Sequence, residues 1–305
     1  GKRKILLLIS IASNLGILFF FKYFDFFALN FNAIAQILDL HYSIKMLALI
    51  LPIGLSFHTF QSLSYVIEVY RGTQAVERHF GIYALYVMFF PQLVAGPIER
   101  PKNLLPQLHQ NHDFEAGRVT SGLKLMFYGF FKKIVIADGA AIVVNDVFNN
   151  LSFYNGLPLI IASVLFSVQI YSDFSGYSDI ARGSARVLGI NLMNNFNAPY
   201  LAETIGDFWR RWHISLSSWF RDYVYFPLGG NRVSTLKYYR NIMVVFLLSG
   251  FWHGADWTYV AWGFLHGFYL VFSIVSMGLR RNFSRLTHLN FFPRVHKFLR
   301  HAITM

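Results

Sequence analysis

Long apolar runs separated by short, mostly basic stretches dominate the chain. Ile5–Phe24 is a mainly apolar run in which only Lys22, near its end, is charged, and its length of about 20 residues is what a helix needs to cross a bilayer. Lys2, Arg3 and Lys4 precede it as in a signal peptide, but no small-residue cleavage site follows, so a spanning helix is expected. Met46–Tyr70 is a second apolar segment, with Pro52, Gly54 and His58. Phe80–Ala95 is a third, interrupted at Pro91 and closed by Gly96 and Pro97. Leu123–Phe148 holds Lys132, Lys133 and Asp138. Charges at membrane depth must face protein or water, which predicts a broken or re-entrant helix there. Leu157–Tyr171 is a further span running into the polar stretch Ser172–Asp179, and Asn241–Phe251 and Trp257–Met277 are the last two. The length criterion gives about seven or eight membrane segments.

The remaining stretches are polar. Ile98–Arg118 reads as a loop, Glu203–Arg240 is the most polar long region, and Arg280–Arg300 is a basic, aromatic tail expected at the cytoplasmic interface. With no fixed-period repeat, low-complexity run or soluble linker, residues 1–305 are expected to form a single multi-pass membrane core.

Composition agrees with that pattern. Hydrophobic residues make up 55%, aromatics 18% and charged residues 14%, with a mean hydropathy of +0.41, whereas soluble domains carry about 25% charged residues. The net charge of +12 would suit nucleic acid if it were clustered, but the basic residues sit in short loops between apolar segments, as the positive-inside rule describes. No nucleic-acid partner is expected. The chain has 0 cysteines, which excludes disulfides, thiolate metal sites and a cysteine nucleophile.

Four regions offer chemistry. In Asp207–Tyr225, the residues Trp209, Trp212, His213, Leu216 and Phe220 recur at helical spacing, with Arg210, Arg211, Ser217, Ser218 and Arg221 largely opposite. This predicts one amphipathic interfacial helix whose apolar face carries a single ionisable residue, His213. From the helix alone, a histidine packed and hydrogen-bonded for structure is the simpler expectation.

In Leu247–Gly267, Asp256 is a candidate N-cap for a helix starting at Trp257. His253 then falls at a helix junction inside the membrane, ringed by Trp252 and Trp257. Desolvation is expected to keep its imidazole neutral, the form that accepts a proton from an alcohol. A structural histidine bonded to a carbonyl is the equal alternative. His266 lies about 220° further round an ideal helix and is expected to face elsewhere.

Asp173, Ser175, Tyr177, Ser178 and Asp179 surround Gly176 beside a span. They line an aqueous or carbohydrate path, or form a capped turn between helices, and the capped turn is the simpler expectation. Pro91–Pro97 breaks a helix and by itself implies no function. His109 and His112 lie in a polar loop without a supporting carboxylate pattern and are expected to be solvated, with no metal site.

Four stretches together resemble the membrane-bound O-acyltransferase family: FFPQLVAGPIERP, QIYSDFSGYSDIA, FNAPYLAETIGDFWRRWHISLSSWFRDYVYFPLGGNR and SGFWHGADWTYVAWGFLHG. The likeness runs from about Ile53 to His266 and is strongest toward the bacterial alginate O-acetyltransferase branch, with teichoic acid D-alanyl transferase as a related branch. It implies an all-α integral membrane protein, a bundle of tilted, broken and re-entrant transmembrane helices around a central funnel. Family members carry more helices at both ends, so helices missing at the N- and C-termini are expected.

The resemblance also implies roles. His253 becomes the general base and His213 the second catalytic position. Trp252, Trp257, Asp173, Ser175, Tyr177 and Arg210 become candidates for lining the funnel or holding substrate. No bound cofactor is implied. The expected donor is acetyl-CoA or another cytoplasmic acyl thioester. The acceptor is a hydroxyl of an extracytoplasmic polysaccharide such as alginate, reached directly or through a periplasmic acetyltransferase partner protein. The setting is membrane lipid of the bacterial cytoplasmic (inner) membrane. D-alanyl or peptidoglycan O-acyl transfer is the alternative within the class. A transporter or channel also uses broken helices, but the internal hydropathy symmetry it calls for is not found. A passive scaffold would tolerate loss of both histidines.

Overall fold

A computed structural model describes residues 1–93 and 96–287. Its helices are α1 (Lys2–Leu18), α2 (Phe24–Ile37), α3 (Leu55–Arg71), α4 (Phe80–Met88), α5 (Pro101–Leu108), α6 (Ala116–Phe130), α7 (Asp138–Asn149), α8 (Leu157–Val187), α9 (Ile205–Arg211), α10 (Ile214–Phe220), α11 (Thr235–His253), α12 (Trp257–Val275) and α13 (Met277–Leu286). All regular structure among the described residues is helical. Three helical stretches are long and apolar enough to cross a membrane: Lys2–Ile37, Leu157–Val187 and Trp257–Val275. Phe80–Gln92 is a shorter apolar one. The expected seven or eight therefore divide into three full-length candidates and several shorter or charged helices. Leu6 is 67% exposed, Ile37 82% and Phe272 58%, apolar surface suited to lipid. The tail expected at the interface begins with α13, and its remainder lies outside the described residues.

The chain forms two compact units, Gly1–Val66 with the chain from Phe196 onward, and Ile67–Asn195. In the first unit, α1 runs into α2 through the π-helical turn Phe19–Tyr23, so the expected first span is longer than its apolar core. The expected second segment is corrected. Its helix starts only at Leu55, after Pro52 and after Gly54 at φ 79°. The chain before it runs back along α2 without helical hydrogen bonds, and polar side chains of α2 serve its backbone instead. Asp25 accepts from Leu47 N at 2.7 Å and Ala48 N at 2.9 Å. Asn32 accepts from Ile44 N at 2.7 Å and donates to Ile44 O at 2.9 Å. Proline lacks the N–H that would extend a helix backward through this stretch.

α11 and α12 form a close hairpin. A Cβ on Gly250 would lie 2.3 Å from the Tyr259 carbonyl oxygen, and one on Gly263 would lie 2.5 Å from that of Phe246. Only glycine permits such backbone approach. Asp256 caps α12 as expected, accepting from Thr258 N at 2.7 Å and Thr258 Oγ1 at 2.6 Å. These bonds, the hydroxyl's first, hold its carboxyl below the ordinary aspartate value.

In the second unit, α6 continues into α7 through another π-helical turn, Phe131–Ala137. This corrects the expected broken or re-entrant helix. The charges are tolerated because α8 supplies partners. Lys132 Nζ lies 2.5 Å from Asp179 Oδ2 and donates to Ser175 Oγ at 3.1 Å. Lys133 Nζ lies 2.6 Å from Asp138 and 2.7 Å from Asp173. The expected turn at Ser172–Asp179 is corrected too, since α8 is continuous through it. Its small residues pack instead of capping. A Cβ on Gly129 would meet Gly176 O at 2.7 Å, and one on Gly122 would meet Gly183 O at 2.8 Å.

The loop expected after Ile98 contains α5, with Pro101 at its first position. The buried Glu99 carboxylate accepts from Met193 N and from Asn103 Nδ2, and burial pushes its pKa up. Gln107 binds the Asn191 backbone twice, at 3.1 and 2.8 Å. His109 is exposed, yet its ring meets Glu77 Oε2 at 2.6 Å. That correction to a loop without carboxylates comes from 32 residues upstream. The bond from His109 is the main cause that holds Glu77 below its ordinary value.

Candidate functional site

The site is built in the first unit around a break. Thr204 caps α9, accepting from Asp207 N at 3.0 Å, and Arg211 pairs with Asp207 at 3.0 Å. The helix then stops at Trp212, which is extended, and His213 turns left-handed at φ 42° before α10 begins. The expected single amphipathic helix is thus two short helices hinged on the histidine. A non-glycine residue in that region costs about 1–3 kcal/mol and persists where surrounding structure demands it.

The hinge is held by aromatic packing. Trp219 on α10 donates from Nε1 to Ser64 Oγ at 2.8 Å and to Phe60 O at 3.2 Å. Phe60 lies 4.2 Å from the Trp219 ring and 5.3 Å from the Trp252 ring. Trp252 in turn lies 6.1 Å from His213. His213 is enclosed, at 6% exposed.

His253 is the last residue of α11 and is exposed. Its ring lies 4.9 Å from Trp252 and 5.2 Å from Trp262, edge-on to both. The expected ring of Trp252 and Trp257 is corrected here. Trp257 is 63% exposed, donates to Asn30 Oδ1 at 2.8 Å and packs on Phe26, tying the start of α12 to α2. Trp262, one and a half turns into α12, takes the place beside His253.

His266 is also brought in, against expectation. Its ring lies 4.6 Å from Trp262 and 5.0 Å from Trp209. The ideal-helix angle between His253 and His266 does not apply, because the chain reverses between α11 and α12. One aromatic course therefore links His213, Trp252, His253, Trp262, His266 and Trp209. Sequence reasoning missed Trp262, Trp209 and His266. The four-residue spacing of Trp262 and His266 on α12 was the available signal.

Arg210 is exposed on α9. In the second unit Asp173 pairs with Lys133 and Ser175 accepts from Lys132. The Lys133 ammonium lies 5.5 Å from the centre of the exposed Tyr177 ring.

Two imidazoles that share an indole neighbour, one of them enclosed, suit proton transfer and orientation of a bound hydroxyl. The all-helical architecture and the apolar spans define a helical membrane protein. The sequence pattern of the membrane-bound O-acyltransferase family, MBOAT, matches residues 79–299, and the chain belongs to that family. It is 39% identical to a peptidoglycan O-acetyltransferase of Helicobacter pylori, over 93% of this chain and 57% of that protein. It is 41% identical to a probable alginate O-acetylase of Pseudomonas putida, over 90% and 56% respectively. A teichoic acid D-alanyltransferase of Streptococcus thermophilus is 30% identical over 72% and 56%. The chain thus spans somewhat over half the length of these relatives.

Proposed function

We propose that the chain is the core of a membrane O-acyltransferase that moves an acetyl group from acetyl-CoA, or another cytoplasmic thioester, to hydroxyls of an extracytoplasmic polysaccharide. The setting is the bacterial cytoplasmic membrane. Residues 1–305 act as one catalytic core, and a periplasmic partner protein relays the group where the polymer is not reached directly. The observation that carries this reading is the His253 ring held edge-on between two indoles, one of which also neighbours the enclosed His213.

In this reading His253 takes the proton of the acceptor hydroxyl as its oxygen attacks the thioester carbonyl. A C–O bond forms, the C–S bond breaks, and the thiolate leaves and is reprotonated. His213 orients the acceptor or stabilises charge. With no cysteine in residues 1–305, the acyl group does not rest on a thiol of this core.

The test adds labelled acetyl-CoA to membranes holding the full-length protein and follows the label into polymer. His253→Ala is expected to lower transfer by about 10²–10⁴-fold at a parental level of membrane protein. Near-parental transfer by that variant would sink the assignment. Peptidoglycan is the second acceptor reading, supported by the Helicobacter pylori relative, whose match extends over 93% of this chain. Supplying purified alginate and peptidoglycan separately decides between them.

A further inference from the structure

Lys22 lies within the long, predominantly apolar first helix, and a lysine in such a place needs a reason. It lies in the π-helical turn Phe19–Tyr23 between α1 and α2, and irregular turns of this kind often mark functional positions. Its ammonium does not turn toward the helix ends. It donates to the Trp252 carbonyl and, at 3.4 Å, to Ser56 Oγ. The same Nζ lies 5.5 Å from the centre of the Trp252 ring, a cation–π contact. Beside it, Tyr23 stacks on Phe251 at 4.4 Å.

Trp252 is the penultimate residue of α11. Its carbonyl is one of the last-turn groups that lack an intrahelical donor, and a cation is favoured at that end of a helix. Phe251, Trp252 and His253 are consecutive, so Lys22 and Tyr23 grip the turn that presents His253.

We propose that Lys22 is a positioning residue for acyl transfer, fixing the last turn of α11 so that His253 and Trp252 keep the orientation the reaction needs. This rests on the reading of His253 as the base. A purely structural lysine would hold the helix pair together without bearing on turnover once the protein is inserted.

The experiment uses the full-length protein in membranes, with labelled acetyl-CoA and purified polymer. Lys22→Met is expected to lower kcat about 10²-fold, the size of effect that small misplacement of a reacting group produces, with KM for acetyl-CoA unchanged. Lys22→Arg keeps a cation of similar reach and is expected to recover most of the rate. If Lys22→Met does not insert, Lys22→Gln, too short to span both partners, is read in the same way. Parental kcat in the inserted variant overturns the proposal, and so does a loss that Lys22→Arg fails to recover. His253→Ala is run alongside. Its inactivity combined with a fully active Lys22→Met removes Lys22 alone from the mechanism. Parental transfer by His253→Ala removes both the base and the residue said to position it.

Discussion

His213 combines two roles that substitution separates. Its backbone occupies the left-handed region at φ 42°, and its ring fills an enclosed place near Trp252. Glycine and alanine both remove the ring, and glycine alone is unstrained there. His213→Gly is therefore expected to be more stable than His213→Ala by about 1 kcal/mol, read from thermal midpoints in detergent, while both lose most transfer. Equal midpoints would argue against strain at the hinge. The histidines themselves were legible in the sequence, as ionisable residues isolated among tryptophans. The hinge was not. Trp209, Trp212, His213, Leu216 and Phe220 keep helical spacing, and a one-residue kink leaves that spacing intact. His266 was misread for the opposite reason, since one continuous helix was assumed across a junction that Gly254 and Asp256 had already marked.

At the scale of helices, glycine contacts and buried ion pairs set the geometry. Gly250→Ala places a methyl against the Tyr259 carbonyl at 2.3 Å. The α11–α12 hairpin is expected to lose about 1–3 kcal/mol, with transfer falling as His253 and Trp262 part. An unchanged thermal midpoint would contradict the close packing. In the second unit, the Lys132 and Asp179 side chains are 11% and 15% exposed. Lys132→Met leaves that carboxylate with Arg182 at 3.1 Å as its remaining cation. A loss toward the lower end of about 3–5 kcal/mol is expected, and Lys132→Met combined with Asp179→Asn should recover part of it. A strictly additive double variant would show that the two do not interact. The same pair explains why a broken helix was expected. Lys132 and Lys133 look prohibitive in an apolar run until α8 places Asp173 and Asp179 opposite them. The serines and glycines of α8 were ambiguous, because turns and tight helix contacts select the same small residues.

Across the whole molecule, composition alone made the membrane class legible, and the motifs around His213 and His253 made the family legible. The number of spans was not, because hydropathy does not distinguish a helix from the irregular apolar stretch before Leu55. That stretch bears on how the protein is made. Asp25 sits within the long first helix, and its carboxylate is satisfied by amides 22 and 23 residues later. At the usual pace of synthesis, those amides leave the ribosome roughly one to four seconds after Asp25. During that interval the Asp25 carboxylate lacks both amides. Translation of the stretch that follows is therefore what completes the hydrogen bonding of an acid set within the first helix.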